Sequence, residues 1–275
     1  MIRFKAIIEY DGTNFCGMQK QQDHQTIQGE IESALEIILK RKTEISFSGR
    51  TDAGVHALGQ VISFDIEESF YHKYNNKSKK IEGNFNKNNI DSPITFLNLC
   101  ENVILNGVNF FLSKKGIVII QICKTENNFD PRKWAIQRTY LYKISNRKAP
   151  LVIDINRKWH VPFILDINHM KQAGNYFIGR HDFTSFRSKE CTAPNPIRTI
   201  DLIDIYQDKY DISITISAKS FLHKMVRNIV GTLVEFGKNP DIPAETISQI
   251  ILAKDRSKAF VTAPACGLYF HNVKY

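Results

Sequence analysis

The most reactive residue types of this sequence lie in a short polar segment, GRTDAGVH at residues 49–56. Its glycines, Gly49 and Gly54, have the G-x-x-x-x-G spacing of a phosphate-binding P-loop. A P-loop continues with Lys and then Ser or Thr and opens a helix, whereas Val55 and His56 follow here and a strand is predicted next. The segment is therefore not predicted to cradle a nucleotide phosphate as a P-loop does.

Two interpretations of this segment remain. In the structural one it is a glycine-bounded hairpin in which Asp52 caps backbone amides. In the chemical one Asp52 is a nucleophile or a base held on a short loop, and Arg50 supplies a positive charge that can keep the carboxylate ionised. The spacing of the residues does not decide between the two.

Neither a metal site nor a disulfide scaffold is expected. The five cysteines are an odd number, lie far apart and include no C-x-x-C pair. The eight histidines include no H-E-x-x-H and no close spacing with acidic residues. We also find no cofactor motif, so the predicted function requires neither a metal nor a cofactor.

The composition favours a polyanionic partner. The 37 Lys and Arg against 28 Asp and Glu give a formal net charge of +9, which makes nucleic acid the first candidate. A hydrophobic fraction of 43% excludes global disorder. The sequence contains no run of about 18 apolar residues and no signal-peptide core, so we expect a cytoplasmic protein without a membrane partner.

Several longer motifs follow one another in order along the chain. They are FSGRTDAGVHA at 47–57, RTYLY at 138–142, GRHDF at 179–183, FLHKMVR at 221–227 and TAPACGL at 262–268. Together they resemble the motifs of the TruA family of tRNA pseudouridine synthases. The resemblance runs from about residue 4 to Tyr275 and breaks only at a Lys- and Asn-rich stretch.

The resemblance implies a role for five residues. Asp52 would be the catalytic nucleophile, attacking either the ribose C1′ or the uracil C6 of the target. The others would surround the substrate: Arg227 beside Asp52, and Arg50 on the flipped nucleotide or its phosphate. Tyr140 would stack on or orient the target uracil, and Leu268 would form an apolar wall of the pocket.

For three of these residues the pattern leaves plainer interpretations open. Arg227 also fits a solvated position on an amphipathic helix, although His223 and Gly231 would share one helix side with it, where Gly231 would let another backbone approach. Tyr140 fits one of a half-buried pair of tyrosines on a strand face. Leu268 fits a strand residue of the core.

The implied activity is the isomerisation of uridine to pseudouridine in the anticodon stem and loop of tRNA, at the family's positions 38, 39 and 40. The glycosidic bond from uracil N1 to the ribose breaks, the base rotates, and a bond to C5 forms. Atoms and redox state are conserved, so no cofactor is implied. The implied partners are tRNA and a second copy of the chain in a homodimer.

Two other classes of function compete with this one. A catalytically idle tRNA-binding or tRNA-folding protein could keep the same basic cleft, but a binder would have no need of a carboxylate in a cleft for an anionic substrate. A carboxylate-pair glycosidase acting on a nucleoside is disfavoured because no second acid is visibly paired with Asp52.

The secondary structure predicted around these residues alternates between strands and helices. Residues 3–10, 44–48, 60–66, 138–145, 199–206 and 212–216 predict strands, and residues 26–40, 167–178 and 222–237 predict helices. This order predicts an α+β protein of two ferredoxin-like halves, 1–110 and 111–275. The halves are expected to form a large, mostly antiparallel central sheet with helices packed on it. The active-site cleft is expected between the halves. The Lys- and Asn-rich residues 71–92 predict a mobile insertion.

Overall fold

A computed structural model describes residues 1–81 and 98–275 of the chain. In those residues it has ten strands in a large, mostly antiparallel sheet and six α-helices, which confirms the predicted α+β class. The strands are β1 (Ile2–Tyr10), β2 (Ser46–Phe47), β3 (His56–Ile66), β4 (Ile117–Lys124), β5 (Gln137–Ser145), β6 (Trp159–His160), β7 (Gly179–Asp182), β8 (Ile197–Asp208), β9 (Asp211–Ala218) and β10 (Leu268–Lys274). The helices are α1 (Ile27–Leu39), α2 (Glu68–Ile81), α3 (Leu99–Leu112), α4 (Ile167–Asn175), α5 (Met225–Lys238) and α6 (Thr246–Ala253).

The chain divides into two compact units. The N-terminal unit comprises residues 1–50 and 59–134, and the C-terminal unit comprises residues 51–58 and 135–275. This division differs from the predicted boundary between residues 110 and 111. Residues 111–134 join the N-terminal unit because β4 pairs antiparallel with β1 along most of its length. Residues 51–58 join the C-terminal unit, where the first residues of β3 pair parallel with β10.

The N-terminal unit is built on β1, whose alternate side chains are buried. Ile2, Phe4, Ala6, Ile8 and Tyr10 are all at most 7% exposed, as the alternation of the sequence predicts. Helices α1 and α3 pack on each other and bury the aliphatic residues that recur every three or four positions. The N-terminus of α1 is capped by Thr26, whose side chain accepts from the Gly29 amide.

The predicted mobile insertion at 71–92 overlaps a helix in its first part. Residues 71–81 belong to α2, and residues 82–92 lie outside the described residues. The helix begins at Glu68, and its aromatic side chains contact one another or the strands: Tyr71 packs against Phe4 at 6.2 Å between ring centroids, and Phe70 against Tyr74 at 4.9 Å. These few aromatic anchors were obscured by the Lys and Asn residues that follow them.

The C-terminal unit contains the strands β10, β5, β9, β8 and β7 in that order, and all four neighbouring pairs are antiparallel. The alternating Ile212, Ile214 and Ile216 of β9 are buried, as predicted. Helix α5 buries eleven of its fourteen residues, and α4 packs against it and against β8. This unit holds Asp52 as well as the arginine predicted to lie beside it.

Candidate active site

Asp52 lies in a tight turn just before β3. The main-chain carbonyl of Asp52 accepts from the Val55 amide at 3.2 Å, so its main chain closes the turn while its carboxylate pairs elsewhere. Gly54 has φ +75, a conformation that L side chains rarely adopt, and a Cβ there would lie 3.3 Å from Ala265 Cβ. Thr51 and Val55 are buried on either side. The turn is therefore anchored while the Asp52 side chain stays 24% exposed.

The carboxylate of Asp52 faces two basic side chains. Arg227 Nη1 donates to Asp52 Oδ2 at 2.9 Å, and the guanidinium is only 15% exposed. On the other oxygen, His223 Nε2 lies 3.3 Å from Asp52 Oδ1. A guanidinium stays charged at any physiological pH, so this arrangement places a permanent positive charge beside the carboxylate and holds it in one orientation.

Arg227 is directed toward Asp52 by a neighbouring stretch of main chain. Its Nε donates to the Ala263 carbonyl at 2.8 Å, and the Ala263 amide donates back to the Arg227 carbonyl at 3.0 Å. This stretch crosses α5 at Gly231, where a Cβ would lie 1.8 Å from the Val261 carbonyl oxygen. The prediction that Gly231 lets another backbone approach is confirmed, and Arg227 is not the freely solvated residue of the plainer interpretation.

His223 is a residue of the site that the sequence analysis did not assign. It was expected on one side of a helix with Arg227, but α5 begins only at Met225, and Lys224 before it has φ 60 in the left-handed region. His223 thus reaches Asp52 from the turn that precedes the helix. The signal available in the sequence was its place in the same FLHKMVR motif as Arg227.

Tyr140 is buried in β5, at 8% exposure. Its ring meets Phe270 of β10 edge-on at 5.2 Å and Phe221 at 5.1 Å. Phe221 stands two residues before His223, which lies beside Asp52. The half-buried pair expected at residues 140 and 142 is buried more deeply than predicted, because other aromatic rings pack against both: Phe221 and Phe270 against Tyr140, and Trp159 against Tyr142.

Leu268 opens β10 and is 5% exposed. It lies opposite Tyr142 in the β10–β5 pair. Burial raises the pKa of Tyr142 well above its ordinary value, so its hydroxyl keeps its proton and donates to the Pro264 carbonyl at 2.7 Å. Because Pro264 follows Ala263, this bond helps to hold the main chain that contacts Arg227.

His56 and Cys266, the other reactive residue types near the turn, have structural contacts. His56 is 2% exposed, and its Nε2 lies 2.9 Å from the Asn156 carbonyl and 3.1 Å from the Cys266 carbonyl. Both partners only accept, so this nitrogen carries the proton. Burial raises the pKa of the Cys266 thiol, which disfavours a thiolate nucleophile at neutral pH. Asp52 is the better candidate nucleophile.

Arg50, the remaining predicted residue, is exposed and belongs to the N-terminal unit. The other four predicted site residues, Asp52, Tyr140, Arg227 and Leu268, all belong to the C-terminal unit. In the part of the chain that the structure describes, no three His, Cys, Asp or Glu side chains gather as a metal-ligand set. Within residues 1–81 and 98–275, no helix has the length and hydrophobicity that crossing a bilayer requires.

Comparisons with known proteins define the class to which this fold and site belong. The family model described as tRNA pseudouridine synthase matches residues 6–89 and 173–275. Proteins named tRNA pseudouridine synthase A are similar to the chain over the full length of both: 44% identical over 275 residues in Ehrlichia chaffeensis, 42% over 275 in Wolbachia pipientis wMel and 41% over 274 in Neorickettsia sennetsu. The chain belongs to the tRNA pseudouridine synthase family, as the motifs predicted.

Proposed function

We propose that this protein isomerises uridine to pseudouridine in tRNA and that Asp52 is the nucleophile. The observation that carries the proposal is the Asp52 carboxylate, partly exposed at a turn and held by Arg227 at 2.9 Å. A nucleophile that must bond covalently and then leave has to be ionised and oriented, and this ion pair supports both conditions.

The reaction balances without a co-reactant. The bond from ribose C1′ to uracil N1 breaks, a bond from C1′ to C5 forms, the C5 proton is lost and N1 gains a proton. Arg227 donates to Oδ2 of Asp52, and Oδ1, which lies 3.3 Å from His223 Nε2, would form the transient bond to C1′ or to C6. Release of the carboxylate in the last step regenerates Asp52.

A uridine in a folded stem must leave its stack before Asp52 can reach it. Extrusion costs a few kcal/mol, which aromatic stacking and cationic contacts can offset. In the proposal Tyr140 stacks on or orients the uracil, Leu268 contacts its apolar edge, and Arg50 contacts the flipped nucleotide or its phosphate. By family resemblance the targets are positions 38, 39 and 40 in the anticodon stem and loop.

We also propose that the protein is a homodimer and that it is cytoplasmic. Family resemblance supports a homodimer, which sedimentation of the purified chain would distinguish from a monomer. A cytoplasmic location follows from the proposed substrate, because tRNA is used there. The alternative of a catalytically idle tRNA-binding or tRNA-folding protein is not favoured, since it gives no reason for an arginine-paired carboxylate at the turn.

The test is the substitution Asp52→Asn, which keeps the shape of the side chain but removes the anionic nucleophile. With enzyme in excess over tRNA, we expect pseudouridine formation to fall by at least roughly a thousandfold, as when covalent catalysts lose their nucleophile. Binding of tRNA should persist or tighten, because a negative charge facing phosphates is removed. The readout is direct quantification of pseudouridine beside a binding titration at fixed salt.

The same substitution at Asp204, an exposed residue of β8, is the matched control and should leave the rate unchanged. Pseudouridine formed by Asp52→Asn at nearly the wild-type rate would remove Asp52 from the mechanism. A wild-type protein that binds tRNA but forms no pseudouridine on any tRNA would favour the alternative function, a tRNA-binding or tRNA-folding protein.

A further inference from the structure

A second set of polar side chains lies next to Arg227 and touches neither oxygen of Asp52. It consists of Asn228, Arg256 and Thr262, which we call the clamp. Asn228 is 1% exposed, and its Oδ1 accepts from Thr262 Oγ1 at 2.7 Å and from Arg256 Nη2 at 3.2 Å. Arg256 Nη2 also donates to Thr262 Oγ1 at 3.0 Å. Each member of the clamp therefore contacts the other two.

The clamp attaches the main chain of residues 259–263 to helix α5. Arg256 Nη1 donates to the carbonyls of Ala259 at 3.0 Å and Phe260 at 3.1 Å, and Thr262 carries the bond to Asn228. Asn228 is itself fixed, because its Nδ2 donates to the Phe186 carbonyl at 2.7 Å. The clamp thus holds the same stretch of chain whose Ala263 carbonyl contacts Arg227.

The direction of the Arg227 guanidinium depends on that carbonyl. A guanidinium is planar and rigid, so a bond to its Nε at 2.8 Å fixes where its Nη1 points. A shift of residues 259–263 would carry the Ala263 carbonyl with it and turn Nη1 away from Asp52. Misplacement of a catalytic group by about 1 Å can cost on the order of a hundredfold in rate.

We propose that Asn228, Arg256 and Thr262 are positioning residues that hold Arg227 in line with Asp52. They act through residues 259–263 and make no contact with the reacting nucleotide. The inference deepens the proposed function and rests on it, because it assigns the clamp to the same reaction.

The test uses Thr262→Val, which removes one hydroxyl at constant size. We expect the single-turnover rate of pseudouridine formation to fall roughly tenfold, as the loss of a hydrogen bond at a positioned group would produce, while the dissociation constant for tRNA stays within about twofold. Thr262→Ser keeps the hydroxyl and should restore the rate. Should the valine variant fail to fold, Arg256→Lys removes part of the clamp at constant charge and should show the same separation of rate from affinity.

Thr232→Val is the matched control. Thr232 is wholly buried on α5, and its Oγ1 donates to the main-chain carbonyl of Asn228 at 2.9 Å rather than to residues 259–263. Thr232→Val makes the same change of side chain, on the helix to which the clamp is attached, and should cost similar stability. Its rate should stay within about twofold of the wild type.

A second readout does not depend on activity. The Arg227 Nε–H, assigned in the NMR spectrum by its loss in Arg227→Lys, should exchange with solvent at least tenfold faster in Thr262→Val than in the wild type or in Thr232→Val. Unchanged exchange, an unchanged rate, or an equal fall in rate in the control would each overturn the inference. If the wild type forms no pseudouridine, the proposed function fails, while the exchange measurement still decides whether the clamp holds Arg227.

Discussion

At the scale of single residues, the main feature of the site is the Asp52 carboxylate, which lies beside two different basic side chains. Arg227 carries a permanent charge on a rigid fork, and His223 is charged only when protonated. Arg227 also bonds the Ala263 main chain through a different nitrogen from the one that meets Asp52. The proposed role of Arg227 therefore requires the shape of the guanidinium as well as its charge.

Arg227→Lys separates these two requirements. A lysine keeps the charge but has a single nitrogen, which cannot bond the Ala263 carbonyl and Asp52 as the two guanidinium nitrogens do. We expect turnover of bound tRNA to fall by roughly a hundredfold and tRNA affinity to change by less than about threefold. Single-turnover rates and binding titrations measure the two effects.

Arg180→Lys, at an exposed position of β7, is the control and should change neither quantity by more than about twofold. If Arg227→Lys instead abolished binding while bound tRNA still reacted at the normal rate, Arg227 would be a phosphate contact.

At the scale of elements, the N-terminal unit is fastened by an ion pair between β1 and β3. Arg3 Nε and Nη2 donate to the two carboxylate oxygens of Asp65 at 2.8 and 2.7 Å, and Arg3 Nη1 donates to the Phe129 carbonyl at 3.0 Å. The hydrogen bond from Arg3 holds the pKa of Asp65 below its ordinary value, with burial opposing. The pair is bidentate, so it is a stronger interaction than an ordinary surface ion pair.

The sign of the pH dependence follows from this lowered pKa. A carboxyl group whose folded pKa is below its unfolded one adds stability above the unfolded pKa, near 4, and loses it as pH falls through the folded pKa. Asp65→Asn should therefore lower the melting temperature at pH 7 by roughly 2 °C, because the pair is partly exposed and screened. The difference should shrink below about pH 4, where the wild type loses the ion pair as well.

Thermal melts between pH 7 and pH 3 measure this effect, with Asp204→Asn as the control for a carboxylate on an exposed strand position. A difference between Asp65→Asn and the wild type that stays constant over the whole range would contradict the assigned role of the ion pair.

At the scale of the whole molecule, the charge of +9 is the property most relevant to tRNA. Each phosphate neutralised by a Lys or Arg releases condensed counterions, so affinity falls linearly with salt on logarithmic axes. An active site that binds an extruded base still depends on this electrostatic attraction, which is independent of the RNA sequence, to bring tRNA to the protein.

We expect the dissociation constant for tRNA to rise at least about tenfold between 50 and 200 mM monovalent salt. Asp52→Asn is the form to titrate, because bound tRNA then stays unmodified during the measurement. An affinity independent of salt would show that the positive charge has another purpose.

The local features of this protein could be predicted from its amino-acid sequence. Alternation every second residue placed β1 and β9, apolar spacing of three or four placed α1 and most of α5, and the GRTDAGVH segment singled out Asp52. These signals are local, because each depends only on residues within a turn or a strand. The same signals missed α2, where a few aromatic contacts outweigh a polar composition.

Family resemblance implied Arg227 beside Asp52, but residue spacing alone did not, and the contact itself is a feature of the tertiary structure. From spacing, the nearest candidate cation was Arg50, two positions away, whereas the guanidinium 2.9 Å from the carboxylate comes from Arg227, 175 residues later. The contact of His223 with Asp52 and the division into units likewise depend on parts of the chain that lie far apart in the sequence. Sequence spacing cannot report such contacts, because they exist only once strands pair and helices pack.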